Sequence, residues 1–371
     1  MRVGLIVPGY SANAADWCIP ALRHLAGELA RTEDVRVIAV RYPYATARYQ
    51  VDGVDVLALG GAARRGLGSV GVVRATLAAV AAEHRRRRFD VLHAFWATES
   101  GFLTALAGRL LGVPTVVSLA GGELVHLPDI GYGDQRRGWE RLKIRTGLRL
   151  ADTVTAGSAY LLRLATRHMP PVGTGKLRWA PLGVPLDMFS ASRAEVGVES
   201  RVLHVGTLTA VKDQALLLRA FGLARQEHRA LRLEIVGDGP LRGRLEALSR
   251  SLGLADSVCF RGDVNHAALP ALYGGGGVFV LSSRHEAQSM VAVEAAACGL
   301  PIVGTNVGVV PELCRSPVGV APVGDAAALA QALLAVSAET SAAATYAHER
   351  AQADFGVAVC AARFKALYAA M

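Results

Sequence analysis

Short runs of β-branched residues alternate with longer Ala-, Leu- and Arg-rich stretches along nearly the whole chain. This order is typical of parallel α/β units, in which helices cover both faces of a sheet and the strands are apolar throughout. The series is interrupted by the Pro- and Gly-containing stretch WAPLGVPLDMF (179–189) and restarts at residue 201. The pattern therefore predicts two doubly wound, Rossmann-like α/β domains whose ligand crevices face a central cleft.

The chain length of 371 residues agrees with two domains of ordinary size. We place the first domain at 1–182, a linker at 183–200 and the second domain at 201–345. The stretch from Thr340 to Met371 reads as one helix, and we expect its part 346–371 to pack back on the first domain. The apolar runs predict strands at Arg2–Val7, Val35–Val40, Val54–Leu59, Val91–Ala94, Thr115–Leu119, Thr153–Ala156, Arg201–Val205, Leu231–Val236, Val258–Arg261, Val278–Leu281 and Ile302–Gly304.

Composition excludes several classes of protein. The chain is 52% apolar with a mean hydropathy of +0.31, which excludes disordered and fibrous chains. Its five Cys are scattered without CxxC spacing, which argues against a disulfide framework or a zinc site. The first apolar run is broken by Pro8 and Gly9, and the charge-free stretch 295–311 contains several Gly and Pro, so neither reads as a signal peptide or a membrane span. We expect a cytoplasmic protein.

Charge is distributed unevenly along the chain. Residues 1–183 carry 24 Lys and Arg against 14 Asp and Glu, whereas residues 184–371 carry 16 against 17. A basic half suggests an anionic partner such as phosphates or an acidic membrane surface. The alternative is a genome that favours Arg codons, since the chain contains 36 Arg and only 4 Lys. No nucleic-acid motif is present, and Arg85–Arg88 lacks interleaved aromatic residues, so we expect no nucleic-acid partner.

The segment RRGWERLKIRTGLRLA (136–151) contains much of this charge. It spaces Trp139, Leu142, Ile144 and Leu148 among six cations, which is the composition of an interfacial helix. The same spacing is typical of a helix that packs its apolar side into the domain core. Two interpretations therefore stay open, a reversible peripheral contact with the inner face of the cell membrane and an ordinary packing helix.

The stretch SSRHEAQSMVAVEAAACGLPIVGTNVG (282–308) is the most informative for function. It places Glu286 in a loop after a predicted strand and Glu294 in the following helix, among apolar neighbours. The first amides of that helix form an anion site, because helix N-terminal N–H groups have no intrahelical partner. These amides belong to Ser289, Met290 and Val291. A charge in an apolar setting needs a partner, and Glu294 could accept hydrogen bonds from a ribose diol.

With this acidic pair, the second half resembles the E-x7-E region of retaining glycosyltransferases of family 4, the glycosyl transferases group 1, which have the GT-B fold. The likeness extends upstream through blocks in the same order and spacing, and more thinly into the first half. The blocks are 205–221, 233–254 and 258–273 in the second half, and 7–10, 90–114 and 181–189 before it.

The resemblance implies a binding site for a nucleotide-diphosphate sugar in the second domain. Lys212 would bind the diphosphate, and Glu286 would contact the transferred sugar together with His285. The family usually has an Arg after the Gly that ends the domain's first strand, but here Thr207 and Leu208 follow Gly206. The remaining residues that we assign to the donor are Thr207, Gly237, Asp238, Gly239, Val264, Asn265, Ser289, Met290, Val291 and Glu294.

In the first domain the resemblance implies fewer site residues. Gly9 would let a diphosphate approach the end of the first strand, while His93 and His126 are candidate catalytic residues. Relatives often carry a His at the position of Ala120, so His126 either supplies that function or is an ordinary loop residue. We assign Tyr10, Trp96 and Glu123 to the acceptor side.

The implied reaction transfers a sugar from a UDP- or GDP-sugar to a hydroxyl of a glycan, a glycolipid or a small molecule, with retention of configuration. The implied setting is cell-envelope polysaccharide or glycoconjugate synthesis. The chain has no Asp-x-Asp and no His/Cys cluster, so we expect no essential metal and no cofactor. Two alternatives stay open, a nucleotide-sugar epimerase of the same architecture and a non-catalytic nucleotide-sugar binding protein. The oligomeric state is not determined by these patterns.

Overall fold

The computed structural model describes residues 1–61, 68–169, 175–190 and 200–371. The chain divides into two compact units, the first made of Met1–Gly183 with Val357–Met371 and the second of Val184–Gly356. Each unit is built on a predominantly parallel sheet with helices, so the predicted fold class is confirmed.

The first unit contains an eight-stranded sheet in the order β3-β4-β2-β1-β5-β6-β7-β8. Only β3 runs antiparallel to its neighbour, and all other pairs are parallel. The strands are β1 (Arg2–Gly9), β2 (Asp34–Tyr42), β3 (Thr46–Val51), β4 (Val54–Leu59), β5 (Val91–Phe95), β6 (Thr115–Leu119), β7 (Thr153–Ala156) and β8 (Leu177–Trp179). The helices are α1 (Pro20–Ala30), α2 (Gly68–Arg86), α3 (Glu99–Leu111), α4 (Gly138–Leu150), α5 (Ala159–His168) and, from the end of the chain, α13 (Val357–Ala369).

The second unit contains a six-stranded, entirely parallel sheet in the order β11-β10-β9-β12-β13-β14. Its strands are β9 (Arg201–Val205), β10 (Arg232–Val236), β11 (Val258–Gly262), β12 (Val278–Leu281), β13 (Ile302–Thr305) and β14 (Val320–Ala321). Its helices are α6 (Gln214–Glu227), α7 (Arg242–Ser251), α8 (Leu269–Gly274), α9 (Met290–Ala297), α10 (Val310–Leu313), α11 (Ala326–Ala338) and α12 (Thr340–Phe355). The strand order reverses between β9 and β12, and a ligand crevice is expected at the carboxyl ends of those two strands.

The end of the chain differs from the single helix that we expected. Two helices, α12 and α13, are separated at Gly356, which has an extended backbone (φ −62°, ψ 137°). A side chain at Gly356 would begin 2.9 Å from Leu186 Cδ1, so the bend brings the backbone close to a neighbouring side chain. The helix α12 belongs to the second unit and α13 to the first. The division therefore falls at Gly356, whereas the sequence placed it before residue 346.

Across the described part of the chain, no single helix is both long and apolar enough to cross a membrane. The pair α11 and α12 passes the same length and composition test together, with a bend of 97° between its members.

Candidate functional site

The main candidate site lies in the second unit, at the carboxyl ends of β9 and β12. The loop after β9 carries Lys212, and the loop after β12 carries Glu286. Two hydrogen bonds join these loops: Ser282 Oγ donates to the Lys212 carbonyl at 2.9 Å, and the Arg284 amide donates to the Val211 carbonyl at 2.8 Å. The parallel sheet therefore holds two residues that are 74 positions apart in the chain at one edge.

Lys212 and Glu286 form a partly buried ion pair. The distance from Lys212 Nζ to Glu286 Oε1 is 2.6 Å, and the hydroxyl of Ser283 donates to the same oxygen at 2.6 Å. The side chains are only 21% and 10% exposed, so solvent screens the pair less than it would at the surface. Glu286 thus has its second carboxylate oxygen available, and Lys212 lies where a phosphate could also reach it.

The amino end of α9 lies in the same loop system. Ser289, the residue before the helix, has φ +80°, a left-handed conformation that is unusual for a residue other than Gly. Its hydroxyl is buried and has no hydrogen-bond partner among the described residues. The first turn of α9 carries no acidic side chain. Free helix amides beside an unpaired buried hydroxyl form a site suited to a phosphate group.

Glu294 lies further along α9 and is only 5% exposed. Its Oε2 accepts a hydrogen bond from the Tyr273 hydroxyl at 3.1 Å, and its Oε1 lies 3.3 Å from His266 Nε2. Burial, followed by the nearby Glu294 charge, raises the pKa of Tyr273 well above its usual value, so Tyr273 remains a donor at neutral pH. A carboxylate has about four acceptor positions, so Glu294 can still accept hydrogen bonds from a ligand diol.

Gly237 and Gly239, two of the residues that we assign to the donor, are also required by backbone packing. A side chain at Gly237, where φ is +121°, would begin 2.3 Å from the Gly206 carbonyl oxygen, and one at Gly239 would begin 2.6 Å from the Leu208 carbonyl oxygen. The Leu208 amide donates to the Asp238 carbonyl at 2.9 Å. The turn after β10 therefore packs directly on the loop after β9.

The other residues assigned to the donor occupy mixed environments. Asp238 is half-buried and pairs with Arg242 at 3.1 Å, while the Thr207 carbonyl accepts from the Gln214 side chain at 3.1 Å. Asn265 is exposed, and its side-chain oxygen accepts from the Ala267 amide at 3.0 Å. Val264 is half-buried, and His285 is 2% exposed.

In the first unit, His93 does not lie at a surface. Its ring is fully buried, with Nδ1 2.7 Å from the Tyr368 hydroxyl and Nε2 2.7 Å from the Ser118 hydroxyl. Burial lowers the pKa of His93 to about 3, so the ring stays neutral. The prediction that His93 is catalytic is therefore wrong for this structure, and its hydrogen bonds instead connect α13 to β5 and β6.

Two further residues at the first unit's strand ends are also buried. Tyr10 is 1% exposed and belongs to the hydrophobic core, so its side chain does not face an acceptor as we expected. Gly9 is buried as well, and a side chain there would begin 3.1 Å from Tyr42 Cβ. The close packing of Gly9 against β2 accounts for the small residue at this position.

Glu123 is an anchor of the loop after β6. It is fully buried and accepts amide hydrogen bonds from Ala97 at 3.2 Å, Ala120 at 3.0 Å and Gly121 at 2.6 Å. Burial raises the pKa of Glu123, although these amides oppose the shift. Glu123 therefore binds backbone amides of its own loop and of Ala97, whereas we expected it to contact the glycosyl acceptor.

Trp96 and His126 are the first-unit candidates with exposed atoms. Trp96 is half-buried with φ +67°, and its indole nitrogen lies near Gly121, where a side chain would begin 2.9 Å away. A bulky residue in this conformation is strained, which favours a functional role. His126 is exposed on the loop after β6. Within the described ranges, no three His, Cys, Asp or Glu side chains are grouped to hold a metal ion.

Sequence reasoning missed three polar residues of the main site. Ser283, His266 and Tyr273 contact the two glutamates, but they precede them by 3 to 28 positions and belong to no recognised spacing. The SSR triplet directly after β12 was the one usable signal, because a parallel strand commonly ends at a ligand crevice. Nothing in the sequence indicated that Tyr273 would reach the Glu294 carboxylate.

The fold and site define a protein of two α/β units, in which the second unit combines a helix end suited to a phosphate group with two buried carboxylates. Residues 189–353 match the family model for glycosyl transferases group 1, and residues 19–183 match the model for the glycosyl transferase 4-like domain. The chain belongs to the group 1 glycosyltransferases with the GT-B fold.

Curated relatives are about a third identical to this chain over the aligned residues. The D-inositol 3-phosphate glycosyltransferase of Nocardiopsis dassonvillei is 30% identical over 61% of this chain and 57% of its own length. The GDP-mannose-dependent alpha-(1-6)-phosphatidylinositol monomannoside mannosyltransferase of Mycolicibacterium smegmatis is 32% identical over 47% of this chain and 51% of its own. The chain thus spans little more than half the length of these relatives.

Solved structures resemble the whole chain. Sucrose-phosphate synthase from Thermosynechococcus elongatus has a TM-score of 0.78 at 21% identity, covering 99% of this chain and 98% of that one. Anabaena HepE in complex with UDP-glucose has a TM-score of 0.73 at 19% identity, with complete coverage of both chains. At this identity the likeness establishes the fold.

Proposed function

We propose that this protein is a retaining, metal-independent glycosyltransferase that uses a UDP- or GDP-sugar as donor. The observation that carries the proposal is the ion pair of Lys212 with Glu286, held at 2.6 Å beside the free amino end of α9. Lys212, the first amides of α9 and the Glu286 carboxylate therefore lie together where the strand order of the second sheet reverses. The complex of Anabaena HepE with UDP-glucose supports a nucleotide sugar as the ligand.

In this proposal each part of the donor has its own partner. The diphosphate binds Lys212 and the amides that open α9, with the Ser289 hydroxyl as a further donor. The transferred sugar donates hydroxyl hydrogen bonds to Glu286. The ribose diol donates to Glu294, which Tyr273 and His266 hold in place.

Catalysis then rests on electrostatic stabilisation of the leaving group. As the sugar–phosphate bond breaks, negative charge grows on the departing diphosphate, and Lys212 with the helix amides stabilises it. Both glutamates are positioning groups for hydroxyls. The retaining outcome is proposed from membership of the family.

We propose a hydroxyl of a glycan, glycolipid or small polyol as acceptor, in cell-envelope or glycoconjugate synthesis. The names of the curated relatives support this class, since one acts on D-inositol 3-phosphate and another on a phosphatidylinositol mannoside. These acceptors combine sugar-like hydroxyls with phosphate, which agrees with the basic first half of the chain.

The test begins with binding of UDP-, GDP- and ADP-sugars, followed by turnover of the tightest donor with an acceptor panel in EDTA. Glu246→Gln, in a surface ion pair on α7, is the matched control for Glu286→Gln. We expect product formation in EDTA with the donor's anomeric configuration kept, as read by NMR. Epimerised donor, or binding without any turnover across the panel, would contradict the proposal.

A further inference from the structure

Helix α4 of the first unit exposes large apolar side chains. Trp139 is 69% exposed and Leu142 is 53% exposed, whereas Ile144 and Leu148 are buried. On the packing side, a side chain at Gly147 would begin 3.1 Å from the Phe102 backbone of α3. The packing interpretation of this segment therefore applies to Ile144 and Leu148, while Trp139 and Leu142 lie outside the core.

The same helix carries cations without counter-charges. The side chains of Arg141 and Arg145 are exposed and form no ion pair or hydrogen bond with any residue that the structure describes. By contrast, Lys143 on the same helix pairs with Glu140 at 2.8 Å. These two arginines are therefore available to an external anion.

Arg141 and Arg145 line a groove of about 690 Å³ together with Arg167 and His168 at the end of α5. Its other described lining residues include no Asp or Glu, and five of them are apolar: Leu124, Leu142, Ile144, Leu148 and Met169. The groove thus combines guanidinium groups with apolar lining residues. Leu142 lines the groove and, like Trp139, is also exposed.

We propose that this groove, with Trp139 and Leu142 beside it, is a docking surface for a bilayer containing anionic phospholipid. A lipid phosphate would bind the arginine guanidiniums, because a planar guanidinium can donate two parallel N–H hydrogen bonds to phosphate oxygens. Trp139 and Leu142 would enter the interfacial region, where Trp is favoured because it has an apolar ring and a polar N–H. A soluble phosphate would use the arginines but would not account for an exposed Trp and Leu.

This inference extends the proposed function, because it places a glycolipid acceptor and the first unit at the same surface. It is tested independently of glycosyl transfer by sedimenting the full chain with vesicles and no nucleotide sugar. One set of vesicles contains phosphatidylcholine alone, and the other contains phosphatidylglycerol as well. We expect binding to the anionic vesicles that weakens at least tenfold from low to high salt, since screening removes the charge attraction.

Two variants and one matched control locate the surface. Arg141→Ser/Arg145→Ser and Trp139→Ser/Leu142→Ser should each reduce vesicle binding at least tenfold. Arg85→Ser/Arg88→Ser removes the same charge from exposed positions of the first unit, outside the groove, and should retain binding. Circular dichroism and nucleotide-sugar binding in solution should be unchanged in all three, which separates this inference from the proposed function.

Several results would overturn the inference. Equal binding to phosphatidylcholine vesicles would show that the arginines do not contribute to binding. Equal losses of binding in the groove variant and the Arg85/Arg88 control would show that binding depends on the net charge of the chain and not on the groove. No vesicle binding, combined with saturable binding of glycerol 1-phosphate that depends on Arg141 and Arg145, would reassign the groove to a soluble phosphorylated ligand.

Discussion

At the residue scale, Glu286 and a bound diphosphate compete for the Lys212 ammonium group. Its Oε1 is held by Lys212 and Ser283, so a diphosphate that recruits Lys212 must compete with this carboxylate. Glu286→Gln should lower kcat for the nucleotide sugar by about 10²-fold, because the transferred sugar loses the carboxylate that positions its hydroxyls. The same variant should bind the nucleoside diphosphate without sugar at least as tightly as the wild type, because the competing charge is gone. Steady-state kinetics checks the effect on kcat, and calorimetry with the nucleoside diphosphate checks the effect on binding. Weaker diphosphate binding would refute the competition.

Lys212 is expected to act mainly in the transition state. Negative charge on the leaving diphosphate grows as the bond breaks, so Lys212→Ala should lower kcat more than it raises KM. Steady-state kinetics with varied donor separates the two parameters. An increase in KM alone would make Lys212 a ground-state phosphate contact instead.

Glu294 is predicted to accept hydrogen bonds from the ribose hydroxyls. Glu294→Ala should weaken nucleotide binding by about 1.5–3 kcal/mol, the usual value of a hydrogen bond to a charged group. It should also abolish the preference for a ribonucleotide over its 2′-deoxy analogue. Tyr273→Phe removes one of the bonds that orient the carboxylate and should weaken binding less. A preference for the ribonucleotide that survives in Glu294→Ala would place the ribose elsewhere.

Sequence reasoning found the charged residues of this site more readily than their surroundings. Glu286, Glu294 and Lys212 lie in blocks with recognisable spacing, and the structure brings Lys212 and Glu286 into contact. His93 was misassigned because the end of a strand predicts a position near the crevice but does not determine which way the ring points. Its bond to Tyr368 spans 275 positions and could not be inferred from local pattern.

At the element scale, buried parallel strands were predicted better than edge elements. The central strands are apolar on both faces, and five of them have the predicted bounds. β3 was missed because it is mostly exposed and antiparallel, although Asp52-Gly53 between β3 and β4 is a common hairpin turn. The break at Gly356 was missed because a lone Gly within an Ala-rich helical pattern is a weak signal.

Gly237 provides an element-scale prediction. Gly237→Ala should lower the free energy of unfolding of the second unit by roughly 1–3 kcal/mol, since φ is +121° and the added carbon would lie 2.3 Å from a carbonyl oxygen. Nucleotide binding should weaken with it, because this turn supports the loop that leads to Lys212. Gly243→Ala on α7, where nothing lies within 4 Å, is the control and should be neutral or slightly stabilising. Thermal unfolding of both variants measures the difference.

At the scale of the whole molecule, part of the basic excess is structural. Four arginines of the first unit surround the buried carboxylate of Glu83, with Arg48 at 2.6 Å. Such cations cannot serve an external anion while they neutralise a carboxylate that is 2% exposed. Fewer cations are therefore available to an external anion than the charge excess of the sequence suggests. Arg141 and Arg145 are among those that are available.

Buried neutral histidines should make the stability of both units depend on pH. Burial lowers the pKa of His93 in the first unit to about 3 and that of His204 in the second to about 4. The unfolded chain binds a proton at each below pH 6.5 while the folded chain does not, so stability is complete above 6.5 and falls as the pH decreases. Between pH 7.5 and 5 each histidine should cost about 2 kcal/mol. Urea unfolding of His93→Asn should show a smaller loss over this range than the wild type, with His126→Asn at an exposed position as control. Equal losses in all three proteins would show that other groups govern the pH dependence.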